Sequence, residues 1–263
     1  MELAASLYQA AFLAAGVAVS CETRRLSGPI SGAIDQIRQD ATVIGAAVTM
    51  PCTVSVASLL DGLGPEAKTI GAVNTVSHRA GALIGWNTDA SAFRRALEEA
   101  DFSARGKVVL ILGAGGAARA CAEALHATAE KLWVSARDLD EARTLCRDLE
   151  ITEGGPAPLG SLSLLLKKAD LIVNATPVGS DGTEAPFPVN WITPQQFVFD
   201  LLYHPALTPL IRGARERGAR AINGLHMLLY QAMDAFEIWT GQRAPEPAMR
   251  TSLERAVLER LSS

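Results

Sequence analysis

Beyond Lys107, short apolar runs alternate with segments whose apolar residues recur at helical spacing. Val108–Leu112, Lys131–Ser135, Leu171–Ala175, Phe197–Leu201 and Arg220–Ile222 read as strands. Gly116–His126, Asp140–Leu149, Thr208–Arg217 and Met227–Thr240 read as the interleaved helices. Such alternation predicts a parallel sheet with helices on both faces. After a turn-rich break at Gln242–Pro247, Ala248–Leu261 reads as a terminal helix. The earlier part of the chain is less regular. Ser6–Ala15 and Gly32–Gln39 are helical by periodicity, and Val17–Thr23 suits a short strand. Thr42–Met50 is an apolar, β-branched run stopped by Pro51, the pattern of a buried strand feeding a loop. Val54–Leu60 suits another helix, and Gly71–Val76 and Gly81–Gly85 suit strands around a turn at His78–Ala80. Thr88–Ala100 has helical spacing through Phe93, Ala96, Leu97 and Ala100 and bridges into the alternating region.

Composition narrows the class. Of 263 residues, 49% are hydrophobic and 20% charged, enough for one large domain or two ordinary ones with full cores. The net charge is −4 and the basic residues are scattered, which argues against nucleic acid or an anionic membrane as partner. No apolar run has the length of a membrane span. The start Met1-Glu2-Leu3 lacks the basic stretch of a secretory signal. Cys21, Cys52, Cys121 and Cys146 show no C-x-x-C spacing and the histidines are dispersed. The expectation is a cytoplasmic protein with reduced thiols and no metal site.

The chemistry begins where Val108–Leu112 runs into Gly113-Ala114-Gly115-Gly116-Ala117-Ala118. This is G-x-G-x-x-A between a strand and a helix, the turn that holds a dinucleotide. Gly113 permits the sharp turn, Gly115 lets backbone approach a pyrophosphate, and Ala118 lets helix pack on strand. Free N–H groups at the helix start, around Gly116 and Ala117, attract the anion. The adenosine ribose is read roughly 20 residues further on, at the end of the second strand. There the chain reads Ala136-Arg137-Asp138. Arg137 can pair with the 2′-phosphate of NADP, which favours NADP(H). Asp138 beside it can repel that phosphate or accept from a ribose hydroxyl, so NAD(H) stays open.

Four further strings occur in order: Gly71-Ala72-Val73-Asn74-Thr75, Gly85-Trp86-Asn87-Thr88-Asp89, Asn174-Ala175-Thr176-Pro177-Val178-Gly179 and Asn223-Gly224-Leu225-His226-Met227-Leu228-Leu229-Tyr230-Gln231-Ala232. With the glycine-rich turn they resemble the shikimate dehydrogenase family, over nearly the whole chain. The resemblance implies an α/β protein of two domains. One is a Rossmann-type parallel-sheet NADP-binding domain, residues 101–240. The other is a discontinuous α/β substrate domain, residues 1–100 and 241–263, closed by the C-terminal helix. It further implies that Asn74, Asp89 and Gln231 contact the substrate, with Thr49 and Tyr203 beside them. Asn174, Thr176, Pro177 and Gly179 would lie along the cofactor, and Met227 against the nicotinamide.

Three departures qualify the resemblance. The family's catalytic loop reads Asn-Val-Thr-x-Pro-His-Lys, whereas this chain reads Ala47-Val48-Thr49-Met50-Pro51-Cys52-Thr53. The lysine that pairs with the aspartate is therefore Thr53, which donates a hydrogen bond but is no acid near neutral pH. Losing a positioned acid–base group typically removes about 10²–10⁴-fold of rate. The family's Ser-x-Ser-Pro, which holds the substrate carboxylate, aligns with Glu2-Leu3-Ala4-Ala5. The family's first strand, ahead of that segment, has no counterpart in this sequence: either the true start lies upstream, or another segment or a neighbouring subunit fills the sheet edge.

The expected activity is hydride transfer between NADP(H) and a cyclic hydroxy or keto acid such as shikimate and 3-dehydroshikimate, weakened or redirected by Thr53. Asp89 remains the acid–base candidate. Two alternatives stay open: a binding protein that takes NADP(H) or a ring acid without turnover, and a member catalysing another reaction on a cyclic carbonyl. The partner is a small molecule, and the assembly a monomer or homodimer.

Overall fold

The computed structural model describes residues 3–261. The chain divides into two compact units, Met1–Ala92 with Met227–Ser263, and Phe93–His226. In the first, α1 (Leu3–Ala14) and α2 (Ile30–Gln39) precede β1 (Gly45–Ala47), a 3-10 turn at Ser55–Leu59, β2 (Gly62–Leu63), α3 (Pro65–Ile70), β3 (Thr75–Arg79) and β4 (Ala82–Trp86), and α4 (Asp89–Glu99) starts in this unit and continues into the second. The strands form one sheet in the order β1-β3-β4-β2, with β1 and β4 antiparallel to β3 and β2 parallel to β4. Ile34, Val56, Ala67, Val73, Val76 and Leu83 make its core.

Several expectations change here. Val17–Thr23 is not a strand: it has no ladder among the described residues. The expected buried strand Thr42–Met50 shrinks to Gly45–Ala47 and is only half-buried, because β1 pairs on one side only and stands at the sheet edge. Val54–Leu60 tightens into the 3-10 turn, and α3, closed by Pro65 at its start and left-handed Gly71 at its end, was unforeseen. Strand β3 starts later than expected, since Gly71 ends that helix, and the reversal falls at Ala80-Gly81.

The second unit runs β5 (Val108–Leu112), α5 (Gly116–His126), β6 (Lys131–Ser135), α6 (Leu139–Asp148), β7 (Gly154–Ala157), α7 (Leu162–Leu166), β8 (Leu171–Asn174), β9 (Phe197–Asp200), α8 (Pro209–Glu216) and β10 (Arg220–Asn223). All six strands are parallel, in the order β10-β9-β8-β5-β6-β7. The order reverses between β5 and β8, which places the switch point beside the glycine-rich turn. β8 and β9 are buried along their whole length, as central strands of a covered parallel sheet are. Strand β7 was not foreseen, because Gly154-Gly155-Pro156 is a poor strand sequence. At the sheet edge, where one side needs no ladder, a proline is tolerated.

Two helices return to the first unit: α9 (Leu225–Thr240) and α10 (Glu246–Leu261). The expected division at 240 would put α9 with the nucleotide domain, but its contacts bind it to the first unit. Trp239 Nε1 donates to the Val76 carbonyl at 2.9 Å, Tyr8 sits edge-on to Trp239 at 4.9 Å, and Phe12 packs on Phe236 at 5.5 Å. α10 begins earlier than expected, with Pro247 accommodated in its first turn.

Candidate functional site

In the second unit, Gly113 ends β5 at φ 107°, left-handed space that a side chain would strain. A Cβ there would come within 2.9 Å of the Ala175 carbonyl oxygen, so the turn needs glycine twice over. Gly115 caps α5 without any side-chain hydrogen bond, and a Cβ on it would meet nothing within 4 Å. Gly115 is exposed and the first turn of α5, Gly116-Ala117-Ala118, follows with only small residues, so open space lies at the amino end of the helix. That is a cradle for a diphosphate, and it fits a dinucleotide. Ala114 lies within the turn, and Ala118 is fully buried.

At the end of β6, Arg137 is exposed, and its guanidinium has no ion-pair partner among the described residues. Asp138 caps α6 by accepting from the Asp140 amide at 2.8 Å. The Arg137 guanidinium is therefore available to a phosphate, while the Asp138 carboxylate is committed to the helix.

The loop after β8 abuts the glycine turn. The Ala175 amide donates to the Leu112 carbonyl, and the Asn174 side chain organises the rest of the loop. Asn174 Oδ1 accepts from the Thr176 amide at 3.1 Å and from Thr176 Oγ1 at 2.7 Å. Asn174 Nδ2 donates to the Val178 carbonyl at 3.2 Å and to Asp200 Oδ1 at 2.9 Å. Pro177 is exposed, and Gly179 is buried at φ 101°. Asp200 and Thr208, neither singled out from sequence, complete this network: Thr208 Oγ1 donates to Asp200 Oδ2 at 2.6 Å and caps α8. A carboxylate closing the apolar strand Phe197–Phe199, followed by Thr208-Pro209 at a helix start, was the available signal.

The first unit gathers the polar cluster. Asn74 enters β3 and is buried, as are Thr88 and Asp89 at the start of α4. Asn74 Nδ2 donates to Thr88 Oγ1 at 3.0 Å and to Gln231 Oε1 at 3.4 Å, and Asn74 Oδ1 accepts from the Thr88 amide at 3.0 Å. Thr88 Oγ1 also donates to the Gln231 carbonyl at 3.2 Å, tying α4 to α9. Thr88, passed over from sequence except as part of a motif, is the hub. Asn87 orients the Asp89 amide through its Oδ1 at 3.0 Å while its Nδ2 holds the Ala72 carbonyl. Burial pushes the Asp89 carboxyl up to about 6, and the Asn74 side chain offsets part of that rise. A neutral acid and an ionised base are both accessible to it near physiological pH.

Thr49 and Thr53 flank the cis Met50–Pro51 bond, with Thr49 exposed and Thr53 half-buried. The Thr53 carbonyl accepts from the Val73 amide at 2.7 Å, which fastens this loop to the residue preceding Asn74. Met227 is buried at the start of α9 in the same unit, and Tyr203 lies half-exposed on the second unit after β9. The structure therefore assembles Asn74, Asp89 and Gln231 with Thr88 in one unit, and the glycine turn, Arg137 and the Asn174–Gly179 loop in the other. In the opening segment, Leu3 and Ala5 are buried within α1, and Glu2 lies outside the described residues. Among the described residues no group of His, Cys, Asp or Glu could hold a metal, and no helix is long and apolar enough to cross a membrane.

Three family models match the chain: the shikimate dehydrogenase substrate binding domain over residues 3–76, shikimate / quinate 5-dehydrogenase over 95–180, and the shikimate 5′-dehydrogenase C-terminal domain over 224–254. The shikimate dehydrogenase (NADP(+)) of Desulforamulus reducens is 42% identical, over 85% of this chain and 82% of its own. That of Methanopyrus kandleri is 38% identical over 98% of this chain and 91% of its own. Shikimate 5-dehydrogenase from Thermus thermophilus, in complex with NADP(H) and shikimate, superimposes with a TM-score of 0.85 at 33% identity, over 97% of this chain and 95% of that one. Quinate dehydrogenase from Corynebacterium glutamicum, in complex with NAD, gives 0.85 at 30% identity over the same shares. Taken with the open glycine cradle and the buried Asn74–Thr88–Asp89–Gln231 cluster, these likenesses place the chain in the shikimate dehydrogenase family, an α/β family of oxidoreductases.

Proposed function

We propose that this chain is an NADP(H)-dependent oxidoreductase that interconverts a cyclic hydroxy acid and its ketone, with shikimate and 3-dehydroshikimate as the reference pair, and that Asp89 alone carries the proton. The observation that carries the reading is a buried carboxyl, Asp89, beside an amide–hydroxyl cluster of Asn74, Thr88 and Gln231. Gly113, Gly115, Gly116 and the Asn174–Gly179 loop would hold the dinucleotide and Arg137 its 2′-phosphate. When bound, the nucleotide supplies or accepts the hydride. Reduction builds negative charge on the carbonyl oxygen, and protonated Asp89 donates its proton there. In the reverse direction ionised Asp89 removes the hydroxyl proton. Asn74 and Gln231 orient the ring by hydrogen bonds, with Thr49 and Tyr203 as further contacts and Met227 as the apolar packing surface for the nicotinamide.

Thr53 contributes a hydroxyl in place of an ammonium. It can hydrogen-bond the developing oxyanion but leaves the charge uncompensated, so turnover on 3-dehydroshikimate is slow or another ring acid is preferred. The measurement is NADPH absorbance with 3-dehydroshikimate for the wild type and Thr53→Lys. The expected result is at least about a tenfold gain in kcat for the variant, a partial recovery of the roughly 10²–10⁴-fold that a positioned acid–base group supplies. A wild type of ordinary dehydrogenase speed, unmoved by Thr53→Lys, refutes the weakened reading. Glu2 and Ala4 in place of the two serines favour a second reading, a binding protein without turnover. Calorimetry that detects NADP⁺, combined with no turnover on any cyclic hydroxy acid, would select it.

A further inference from the structure

We propose that Asp200 is a positioning residue that sets the shape of the Asn174–Gly179 loop, and through it nucleotide affinity, by fixing the side-chain amide of Asn174. The inference rests on the nucleotide reading of that loop. Asp200 ends β9 with no exposed surface, and it has no ion-pair partner among the described residues. Burying a carboxylate without a cation is costly unless donors satisfy it. Three do: Asn174 Nδ2 at 2.9 Å, Thr208 Oγ1 at 2.6 Å and the Leu202 amide at 3.2 Å. Burial raises its proton affinity, and these three donors offset that rise only in part.

The consequence follows from the chemistry of an amide. An asparagine side chain can rotate to exchange its donor and acceptor ends, and its neighbours decide which way it points. Asn174 Nδ2 faces two acceptors, Asp200 Oδ1 and the Val178 carbonyl, which leaves Oδ1 to face the Thr176 amide and hydroxyl. Thr176 Oγ1 in turn accepts from the Val178 amide at 3.3 Å. Thus one buried carboxylate anchors a chain of hydrogen bonds that runs through the loop to Val178. The loop's first residue past Asn174 touches the glycine turn, since the Ala175 carbonyl occupies the space where a Gly113 Cβ would fall. Both segments stand at the carboxyl ends of β5 and β8, where the strand order reverses and where open parallel sheets take ligands. No step of the proposed chemistry uses Asp200 itself.

The test compares Asp200→Asn and Asp200→Ser with Thr208→Val. The last removes a donor and the α8 cap but leaves the Asp200–Asn174 contact in place. Calorimetry with NADPH gives Kd, and hydrogen exchange of the nucleotide-free protein reads the Thr176 and Val178 amides. The expected result for either Asp200 variant is a rise of about tenfold in Kd, the scale of one hydrogen bond to a charged group. Exchange at both amides should be faster, with KM for the ring substrate unchanged within about twofold. Thr208→Val should lower thermal stability and leave Kd within about twofold. If Thr208→Val weakens NADPH as much as the Asp200 variants, the effect is general destabilisation and the assignment is wrong. Equal Kd and equal exchange for wild type and both Asp200 variants also overturn it. A wild type that binds no NADPH sinks the nucleotide reading instead, and the exchange data, which need no ligand, still decide whether Asp200 shapes the loop.

Discussion

Replacing Asp89 by Asn should make the protein more stable at alkaline pH while removing most of its activity. An aspartate ordinarily loses its proton near pH 4, whereas burial holds the Asp89 proton until about 6. The folded state therefore prefers the neutral carboxyl. Below about pH 4 the group is protonated in folded and unfolded chains alike, and it costs nothing. Between about 4 and about 6 the unfolded chain ionises first, and folding loses stability as pH rises. Above about 6 the loss is complete, at up to about 3 kcal/mol for a gap of this size. Asparagine keeps the shape and cannot ionise. Thermal unfolding at about pH 8 should then show Asp89→Asn the more stable by up to about 3 kcal/mol, and at about pH 4 the two should coincide. Turnover should fall about 10²–10⁴-fold. Lower stability of the variant at both pH values would overturn this expectation, because it would mean the ionised carboxylate is held by favourable partners.

Two further outcomes bear on the nucleotide side. Gly115→Val places its Cβ where nothing lies within 4 Å, at a φ of −73° that valine adopts freely. Melting should move little, while calorimetric Kd for NADPH rises about tenfold or more from blockage of the cradle; an unchanged Kd would move the diphosphate elsewhere. Arg137→Ala should weaken NADPH about tenfold and leave NADH nearly untouched, since a guanidinium–phosphate pair is lost only with the former. Equal weakening of both would show that Arg137 does not read the 2′-phosphate.

What could be read from residues alone was what local chemistry decides. The strand, glycine turn and helix over Val108–His126 were legible because apolar run, turn residues and helical spacing sit side by side. Strand β7 was not, since its Gly-Gly-Pro is tolerable only at a sheet edge, a fact of topology. Val17–Thr23 carried strand-forming residues, yet a strand needs a partner and none is offered to it among the described residues. On the site side, Asn74, Asp89 and Gln231 stood out through their motifs. Thr88 and Asp200 act through groups 14 to 143 and 8 to 26 positions away, respectively, and only folding brings these together. The raised proton affinity of Asp89 is likewise a product of burial, invisible in a one-dimensional string.

Asp89, without a lysine beside it, is assigned the delivery of the proton that accompanies hydride transfer, and the pH dependence of turnover decides that assignment. The quantity to follow is kcat for NADPH oxidation with 3-dehydroshikimate across the range from about pH 5 to about 9. Turnover should be measurable, level below about 6, and should fall tenfold for each further pH unit as Asp89 ionises. Turnover that stays flat through that range, or is absent although both ligands bind, would contradict the assignment.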